Sequence, residues 1–433
     1  MNLEYQTFDS NLLENLSKFS SSVALDVQVS ETVKEILYEI KLRGEDALLE
    51  RTKLYDGAEL TRSELAVKQS ELTEALDSLK ENQREALKEA MENISVFHQK
   101  SFPDDWRDNN LHGAMVGETY YPIKRVGIYV PGGNVPLVST VLMTATLARV
   151  AKVPEVVVVT PPNTGGEIAP ELLGALHLLN ISEVYKAGGA QAIGALAYGT
   201  DSIKPVDKIF GPGNSYVNEA KRQVYGTVGV DLLPGPSEVM VIADESAKAG
   251  FAAAALLAQA EHGSGKEKIY FLFTKQSFFE EVVREIEIQL ETLSRRTAIE
   301  EVLEIGFKAV WIPELEKVAE VADFVAPEHL ELQVAEEKLD YLTENITTAG
   351  AILLGHASAT ALGDFVAGPS HVLPTGRSSR FSSGLRLQDF LRRTSLIKYD
   401  KESVKAASAS ASCFAEMERL DGHGRSVELR VDS

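Results

Sequence analysis

The stretch AALLAQAEHG ends a run of helix-forming residues with a glutamine and a histidine three positions apart. Gln259 and His262 therefore share one face of the predicted helix, which we expect to end at Gly263. An amide and an imidazole placed in this way can chelate a metal ion. The alternative is a histidine that caps the helix C-terminus, where a positive charge suits the helix dipole.

The segment DFVAPEHLEL places an acid directly before a histidine, on a turn opened by Pro327. Glu328 and His329 could supply two proton-transfer groups with different pKa values. The alternative is a solvated acid and histidine at the start of a helix. This segment alone leaves both interpretations open.

Two further clusters combine carboxylates with histidines. Asp364 and His371 lie seven residues apart in ALGDFVAGPSHVLPTG, a glycine- and proline-rich stretch of the kind that often carries function. Asp364 could instead cap a helix or close an Asx turn. Near the carboxyl terminus, MERLDGHG contains Glu418 and His423, for which the alternative is a surface helix that ends in a glycine-flanked histidine.

The chain has a single cysteine, Cys413, so it cannot form an internal disulfide. Any zinc site must then be built from histidine, carboxylate and amide ligands, which are the residue types of the clusters above.

Glycine-containing turns between strands and helices form a third kind of site. KAGGAQAIGALAYGT and KIFGPGNSYVNEAKRQV each place glycines where backbone N–H groups and a helix dipole would point at an anion. Two such turns suggest a dinucleotide or phosphate ligand at the carboxyl ends of parallel strands. Tyr129, which precedes PGGNVPL, could belong to the same site. Each turn could also be purely structural, since glycine at a strand end is first a backbone requirement.

The elements that must position these residues follow an α/β pattern. From about Glu31 to Lys100 the apolar residues recur at helical spacing. Later runs rich in β-branched residues, most of them followed by a turn and a helix-like stretch, predict a largely parallel sheet. The predicted strands are Arg125 to Val130, Val156 to Thr160, Glu183 to Lys186, Asp207 to Phe210, Val239 to Ala243, Ile269 to Phe273 and Ala351 to Leu354.

Near-continuous apolar strands such as VVVVT need cover on both faces, and the strands fall into two blocks. We therefore expect two Rossmann-like, doubly wound parallel-sheet domains. The predicted division is an N-terminal arm over 1–25, a first domain over 26–128 plus 240–381, a cofactor-binding domain over 129–239, and a C-terminal arm over 382–433. Beyond Arg386 the sequence predicts a polar, helical stretch.

Bulk properties restrict the partners and the location of the protein. The 433 residues are 44% hydrophobic and 25% charged, which is ordinary globular composition and predicts two or more compact units. A net charge of −21 makes nucleic acid an unfavourable partner. We find no run of apolar residues long enough to span a membrane and no secretion signal, so we expect a cytoplasmic protein.

At these residues the sequence resembles the histidinol dehydrogenase family. The motifs VGIYVPGG, GGAQAI, DKIFGPGN, EAKRQV, GPSEV, QAEHG, APEHLEL, GDFVAGPSHVLPTG, FSSG and ERLDGHG occur in the family's order at about its spacing. They extend over roughly Arg125 to Arg430. No single motif decides the resemblance, but so many separate ones in order do.

The resemblance implies a role for each candidate residue. One zinc ion per subunit would be bound by Gln259, His262, Asp364 and His423. Proton transfer would fall to Glu328 and His329, and NAD would contact Tyr129, Gln191 and Asn214. The substrate would contact the four metal ligands, His329, and also Ser237, His371 and Glu418, which would line its pocket beside the metal.

The implied reaction is the oxidation of L-histidinol to L-histidine through a bound aldehyde, with two NAD and one water consumed. His329 would take the alcohol proton as hydride leaves for nicotinamide, and Glu328 would deprotonate the water that hydrates the aldehyde. The resemblance also implies a homodimer in which His423 and Glu418 come from the partner chain.

Other activities remain as alternatives. A related zinc- and NAD-dependent enzyme could oxidise another small polar alcohol, such as a sulfonated diol, although His371 and Glu418 suit recognition of an imidazole. A zinc hydrolase that uses Glu328 as its base is a second alternative, and a non-catalytic protein is a third.

Overall fold

The computed structural model describes residues 3–20, 27–132 and 136–431. Within them lie the strands β1 (Tyr5–Thr7), β2 (Trp106–Asn109), β3 (Met115–Pro122), β4 (Arg125–Tyr129), β5 (Glu155–Thr160), β6 (Glu183–Lys186), β7 (Lys208–Phe210), β8 (Gly229–Val230), β9 (Glu238–Ala243), β10 (Lys268–Phe273), β11 (Phe307–Trp311), β12 (His329–Gln333), β13 (Ala351–Leu354) and β14 (Leu391–Lys398).

The same residues form the helices α1 (Leu12–Ser20), α2 (Val27–Arg43), α3 (Glu45–Tyr55), α4 (Gln69–Ser78), α5 (Glu81–Gln99), α6 (Val138–Val150), α7 (Pro170–Leu178), α8 (Gly189–Tyr198), α9 (Ser215–Val224), α10 (Ala249–Ala260), α11 (Phe278–Leu290), α12 (Arg296–Gly306), α13 (Leu315–Val325), α14 (Glu336–Asn345), α15 (Thr360–Phe365), α16 (Lys401–Met417) and α17 (Asp421–Val431). Among them, no helix is both long and apolar enough to cross a membrane.

Two parallel sheets form the body of the molecule. The six-stranded sheet has the order β1-β11-β10-β9-β12-β13, and the five-stranded sheet has the order β6-β5-β4-β7-β8. Successive side chains of a strand point to opposite faces of the sheet, so an apolar strand needs packing on both faces, and both sheets have it. In β9, for example, Val239 and Val241 pack in one core cluster, while Met240 and Ile242 pack in another. The predicted architecture of two doubly wound α/β sheets is therefore confirmed.

A third, antiparallel sheet was not predicted. It has the order β14-β3-β2, and β14 pairs with β3 over its whole length, from Leu391 opposite Pro122 to Lys398 opposite Met115. The prediction of a purely helical stretch beyond Arg386 is therefore wrong for this segment. Its pattern was missed because LRRTSLIK is only partly buried and mostly polar, so it lacks the apolar run that marked the other strands.

The N-terminal helices do not pack as the predicted domain division assumed. Helix α1 lies on the six-stranded sheet beside α13, but α2 packs on α8 and α9, α4 on α7, and α5 on α6. These contacts place residues 27–99 with the five-stranded sheet, whereas the prediction had grouped 26–128 with 240–381. Helical periodicity identified these helices as amphipathic but could not say which sheet their apolar faces would cover.

Candidate functional site

The catalytic candidates gather at the amino ends of β9 and β12, which are neighbours in the six-stranded sheet. His329 opens β12 opposite Val239, so Glu328 and Glu238 precede the paired residues at the same level. The Glu238 N–H donates to Glu328 Oε2 over 2.7 Å. Glu328 and His329 are buried, which excludes the solvated pair. The expectation of a turn holds for Pro327 and Glu328, but His329 belongs to the strand.

Burial makes the Glu328 carboxyl group a weaker acid than that of an exposed glutamate. Removal of its carboxylate from water raises its pKa to about 7, although the nearby His329 and the N–H of Glu238 favour the charged form. Burial and the neighbouring Glu328 raise the pKa of Glu238 further, to about 8. Glu328 can therefore exchange a proton near neutral pH, as a general base requires.

Asp364, itself a candidate metal ligand, lies beside the candidate base His329. His329 Nε2 lies 3.2 Å from Asp364 Oδ1, and the His371 Nδ1–H donates to the main-chain oxygen of Asp364 over 2.9 Å. Burial opposes the imidazolium form of His329, but the bond to Asp364 and the charge of Glu328 outweigh it and raise the pKa of His329 to about 8. In the described structure, His329 Nδ1 is buried without a hydrogen-bond partner.

Gln259 and His262 approach the same place from α10. That helix follows β9 and runs back, so its end returns to the amino edge of the six-stranded sheet. The helix ends at Ala260, three residues before the predicted end at Gly263, so His262 lies in the turn beyond the helix and not on its face. Its Nδ1–H donates to the main-chain oxygen of Gln259 over 3.1 Å, and its charge acts on both Asp364 and His371.

The chemistry of this donor set suits zinc. With Nδ1 of His262 engaged, its Nε2 is left to act as a ligand. Gln259 is buried, and Nε2 of its amide lacks a hydrogen-bond partner in the parts of the chain that are described. An NH₂ group cannot bind a cation, so a zinc ion at this place would be bound by the carboxamide oxygen of Gln259. Within the same parts, no three His, Cys, Asp or Glu side chains form a metal site.

The single chain does not bring Glu418 and His423 to this cluster. Both are exposed: Glu418 directly follows α16, and His423 lies on α17. These two helices pack mainly on each other. Ser237 lies closer, since it immediately precedes β9 and is half-buried at the sheet edge.

The predicted NAD contacts share one cavity of about 940 Å³ at the carboxyl edge of the five-stranded sheet. Tyr129, Gln191 and Asn214 all line it, together with Gly189. The rest of the PGGNVPL loop, residues 133–135, lies outside the described residues. Placement at the carboxyl ends of parallel strands agrees with the sequence-based expectation, whereas the acid–base cluster lies at the amino ends of the other sheet.

Several backbone groups that were expected to face an anion are already engaged. The Gly189 N–H at the start of α8 donates to the Tyr129 hydroxyl over 3.1 Å. The Asn214 carboxamide oxygen caps α9 by accepting from the N–H groups of Tyr216 and Val217, which leaves its NH₂ group for a ligand. The turn at Gly188 and Gly189 therefore offers fewer free amides than the sequence suggested.

Two features of the candidate cofactor region were missed. Asp56, at the end of α3, lines the cavity, but its sequence LYDG predicts only a turn. The GPGN loop is held by an ion pair between Lys221 and Asp231. Asp231 accepts from the Gly211 N–H over 2.7 Å, and Lys221 donates to the Gly211 carbonyl over 2.9 Å.

Gly211 could not be replaced, because its φ is +106° and a Cβ would stand 2.0 Å from the Tyr129 carbonyl oxygen. The loop's neighbour Asn218 joins it to the segment before Ser237, a candidate substrate contact. Its amide nitrogen donates to the carbonyl oxygens of Gly213 and of Pro234, three residues before Ser237.

Known proteins resemble this chain over nearly its whole length. The family model for histidinol dehydrogenase matches residues 20–431. The chain belongs to the histidinol dehydrogenase family. A histidinol dehydrogenase of Nitrosomonas europaea is 42% identical over 95% of this chain and 94% of its own, and one of Rhizobium meliloti is 41% identical over 93% and 92%.

The crystal structure of the histidinol dehydrogenase of Elizabethkingia anophelis superposes with a TM-score of 0.93 at 34% identity, covering 99% of this chain and 97% of that one. The chain is thus an oxidoreductase of the histidinol dehydrogenase family. The alternative of a dehydrogenase for another small polar alcohol finds no support among these relatives.

Proposed function

We propose that this member of the histidinol dehydrogenase family oxidises L-histidinol to L-histidine with two NAD, using one zinc ion per subunit. The observation that carries the proposal is the convergence of Glu328, His329 and Asp364 beside the Gln259–His262 pair. A carboxylate base, an imidazole base and candidate metal ligands are then within one cluster, in which Glu328, His329 and Gln259 are buried, Asp364 is half-buried and His262 is exposed. A cavity that could take a dinucleotide lies at the edge of the other sheet.

Gln259, His262 and Asp364 would hold zinc together with His423 of a second subunit. When bound, zinc would anchor the substrate's amine and imidazole, and NAD would accept hydride. His371, whose Nδ1–H is held by the Asp364 carbonyl, presents Nε2 as an acceptor, and Glu418 would accompany it in binding the substrate imidazole.

His329 takes the proton of the substrate hydroxyl in the first oxidation. Its ring is fixed by the bond from Nε2 to Asp364, so in the neutral imidazole the buried Nδ1 is the nitrogen left to accept that proton. Glu328 acts after the first oxidation. Its carboxylate, oriented by the Glu238 N–H, removes a proton from the water that adds to the aldehyde.

The second oxidation then removes hydride from the hydrated aldehyde, and His329 again accepts the hydroxyl proton. A site closed around the aldehyde would keep it from escaping between the two oxidations.

We also propose that the enzyme is a homodimer with shared sites. Because its single cysteine, Cys413, is exposed, it suits the reducing cytoplasm, where we place the enzyme.

The test is the stoichiometry of turnover by purified, zinc-loaded protein with limiting L-histidinol and excess NAD. We expect two NADH and one histidine per histidinol, because hydration returns the aldehyde to an oxidisable form. One NADH with free aldehyde accumulating would contradict the four-electron reaction. A chelator should abolish turnover and zinc should restore it, and full activity of a zinc-free preparation would remove the metal from the proposal.

A further inference from the structure

The cofactor cavity carries an unusual charge pattern for a site that receives a doubly charged diphosphate. Its charged lining side chains are Asp56 and Glu167, and no Lys, Arg or His lines it within the described residues. Residues 133–135, which border it in sequence, are Gly, Asn and Val and add no charge. An additional phosphate placed beside Asp56 would therefore meet a carboxylate and no lining cation.

Asp56 occupies a fixed position in this cavity. It ends α3, where its N–H donates to the Thr52 carbonyl oxygen over 2.9 Å, and its carboxylate accepts from the Gly188 N–H at the start of α8. The other polar contact is long, since Gln191 Nε2 lies 3.5 Å from Asp56 Oδ2. The carboxylate is thus anchored but retains the capacity to accept a further hydrogen bond.

The groups around Asp56 also favour a ligand that donates. The N–H groups of Gly188 and Gly189 already donate to Asp56 and Tyr129, so they are not free to bind a phosphate at this helix end. Gln191 Oε1 is buried and, as far as the structure describes the chain, has no hydrogen-bond partner. The groups around Asp56 therefore have more unused acceptors than donors. A ligand that donates through hydroxyl groups would satisfy them, and in a dinucleotide the ribose carries the hydroxyl groups.

We propose that Asp56 accepts a hydrogen bond from a ribose hydroxyl of the cofactor and makes the enzyme select NAD over NADP. In many dinucleotide-binding folds a carboxylate at the end of a strand binds the ribose 2′-hydroxyl. Here it comes instead from a helix of the N-terminal segment. A 2′-phosphate would remove one donor and add negative charge beside the carboxylate. This inference rests on the proposed use of NAD.

The experiment measures dissociation constants of NAD and NADP by calorimetry on the zinc-loaded protein without histidinol, so that no turnover is involved. The test variant is Asp56→Asn, which keeps an acceptor for the Gly188 N–H but loses the charge. Glu167→Gln is the matched control, because Glu167 carries the same charge and lines the same cavity but is exposed to solvent. Asp56→Ser provides a second uncharged variant, and thermal melts check that all variants are folded.

We expect the wild-type chain to bind NAD more tightly than NADP, and Asp56→Asn to reduce that preference by about tenfold or more through weaker NAD binding and tighter NADP binding. Asp56→Ser should act in the same direction, and Glu167→Gln should change the ratio less than twofold. An unchanged ratio in folded Asp56→Asn and Asp56→Ser that still bind NAD would overturn the role of Asp56. If the wild-type chain bound neither dinucleotide, the proposed use of NAD would itself fail.

Discussion

Glu238 and Glu328 are two buried acids joined across neighbouring strands, since the Glu238 N–H donates to the Glu328 carboxylate over 2.7 Å. The Glu238 side chain in turn accepts from the Gly376 N–H over 3.1 Å, which ties the loop after His371 to the sheet. Because two adjacent buried carboxylates repel, they do not both ionise at neutral pH. Glu238, with the higher pKa, keeps its proton and leaves Glu328 as the one that can act as a base.

The raised pKa of Glu238 predicts a pH-dependent cost to stability. Its folded-state pKa of about 8 exceeds the ordinary 4.5, so between these values the folded chain holds a proton that the unfolded chain releases. The free energy of unfolding of the wild type therefore falls as pH rises through this window. Glu238→Gln has no such proton, and its stability relative to the wild type should increase from pH 5.5 to pH 8.5.

Denaturant unfolding of both proteins at the two pH values checks this expectation. The exposed Glu304→Gln serves as control, and its difference from the wild type should be the same at both pH values. If the difference for Glu238→Gln also stayed constant, the acid would not be held protonated by burial.

The two catalytic candidates should affect the two oxidations differently. His329→Asn removes the group that accepts the hydroxyl proton in both oxidations, so both phases should slow. Glu328→Gln removes only the base that activates water, so the second phase should slow far more than the first. Loss of a positioned base typically costs about 10²- to 10⁴-fold. Presteady-state NADH formation separates the phases, and equal slowing of both in Glu328→Gln would reject this division of roles.

Strands of β-branched residues could be predicted because they are apolar throughout. The run Val156 to Thr160 was found as β5, from Glu155 to Thr160. Strand β12 was missed although it is fully buried. Its polar residues pair inside the protein, as when Gln333 donates to Glu331 over 2.6 Å, and burial of this kind leaves no apolar pattern in the sequence.

The contacts of the candidate site likewise leave no local pattern in the sequence. The family motifs pointed to Glu328 and His329 because the residues are adjacent in the sequence. That His329 meets Asp364, or that Lys221 and Asp231 enclose Gly211, depends on how the chain folds back. Asp56 was missed for this reason, since its neighbour Gly188 is more than a hundred residues away and nothing local marks the contact.

The fully buried pair of Lys221 and Asp231 should be costly to break and should affect cofactor binding most. Lys221→Met leaves Asp231 buried without its cation, and loss of one member of a buried ion pair typically costs about 3–5 kcal/mol of stability. Because the pair holds both backbone groups of Gly211, KM for NAD should rise more than KM for histidinol.

Steady-state kinetics and unfolding of Lys221→Met and of the double variant Lys221→Met/Asp231→Asn test this. The double variant should recover part of the lost stability, because no buried charge remains unpaired. Arg222→Met is the control, since Arg222 is partly exposed on the same helix and pairs only with its neighbour Glu219 among the ion pairs described. A rise in both KM values by the same factor would refute a specific role in the cofactor loop.

The final prediction concerns the helix pair α16 and α17, whose helices pack mainly on each other and leave His423 exposed. Apolar side chains on this pair remain exposed, with Phe414 and Met417 more than 60% accessible, as expected of a surface that packs on a symmetric partner.

If the partner receives His423, an inactive His262→Ala chain and an inactive His423→Ala chain should complement each other. In a mixed dimer, one site then holds both defects and the other is intact, so activity should return toward half of the wild-type value per mixed dimer. Subunit exchange is verified with differently tagged chains, and two His262→Ala chains with different tags form the control that should stay inactive. If exchange is complete and the mixed dimer is also inactive, each chain builds its site alone, and the shared-site arrangement is wrong while the family assignment stands.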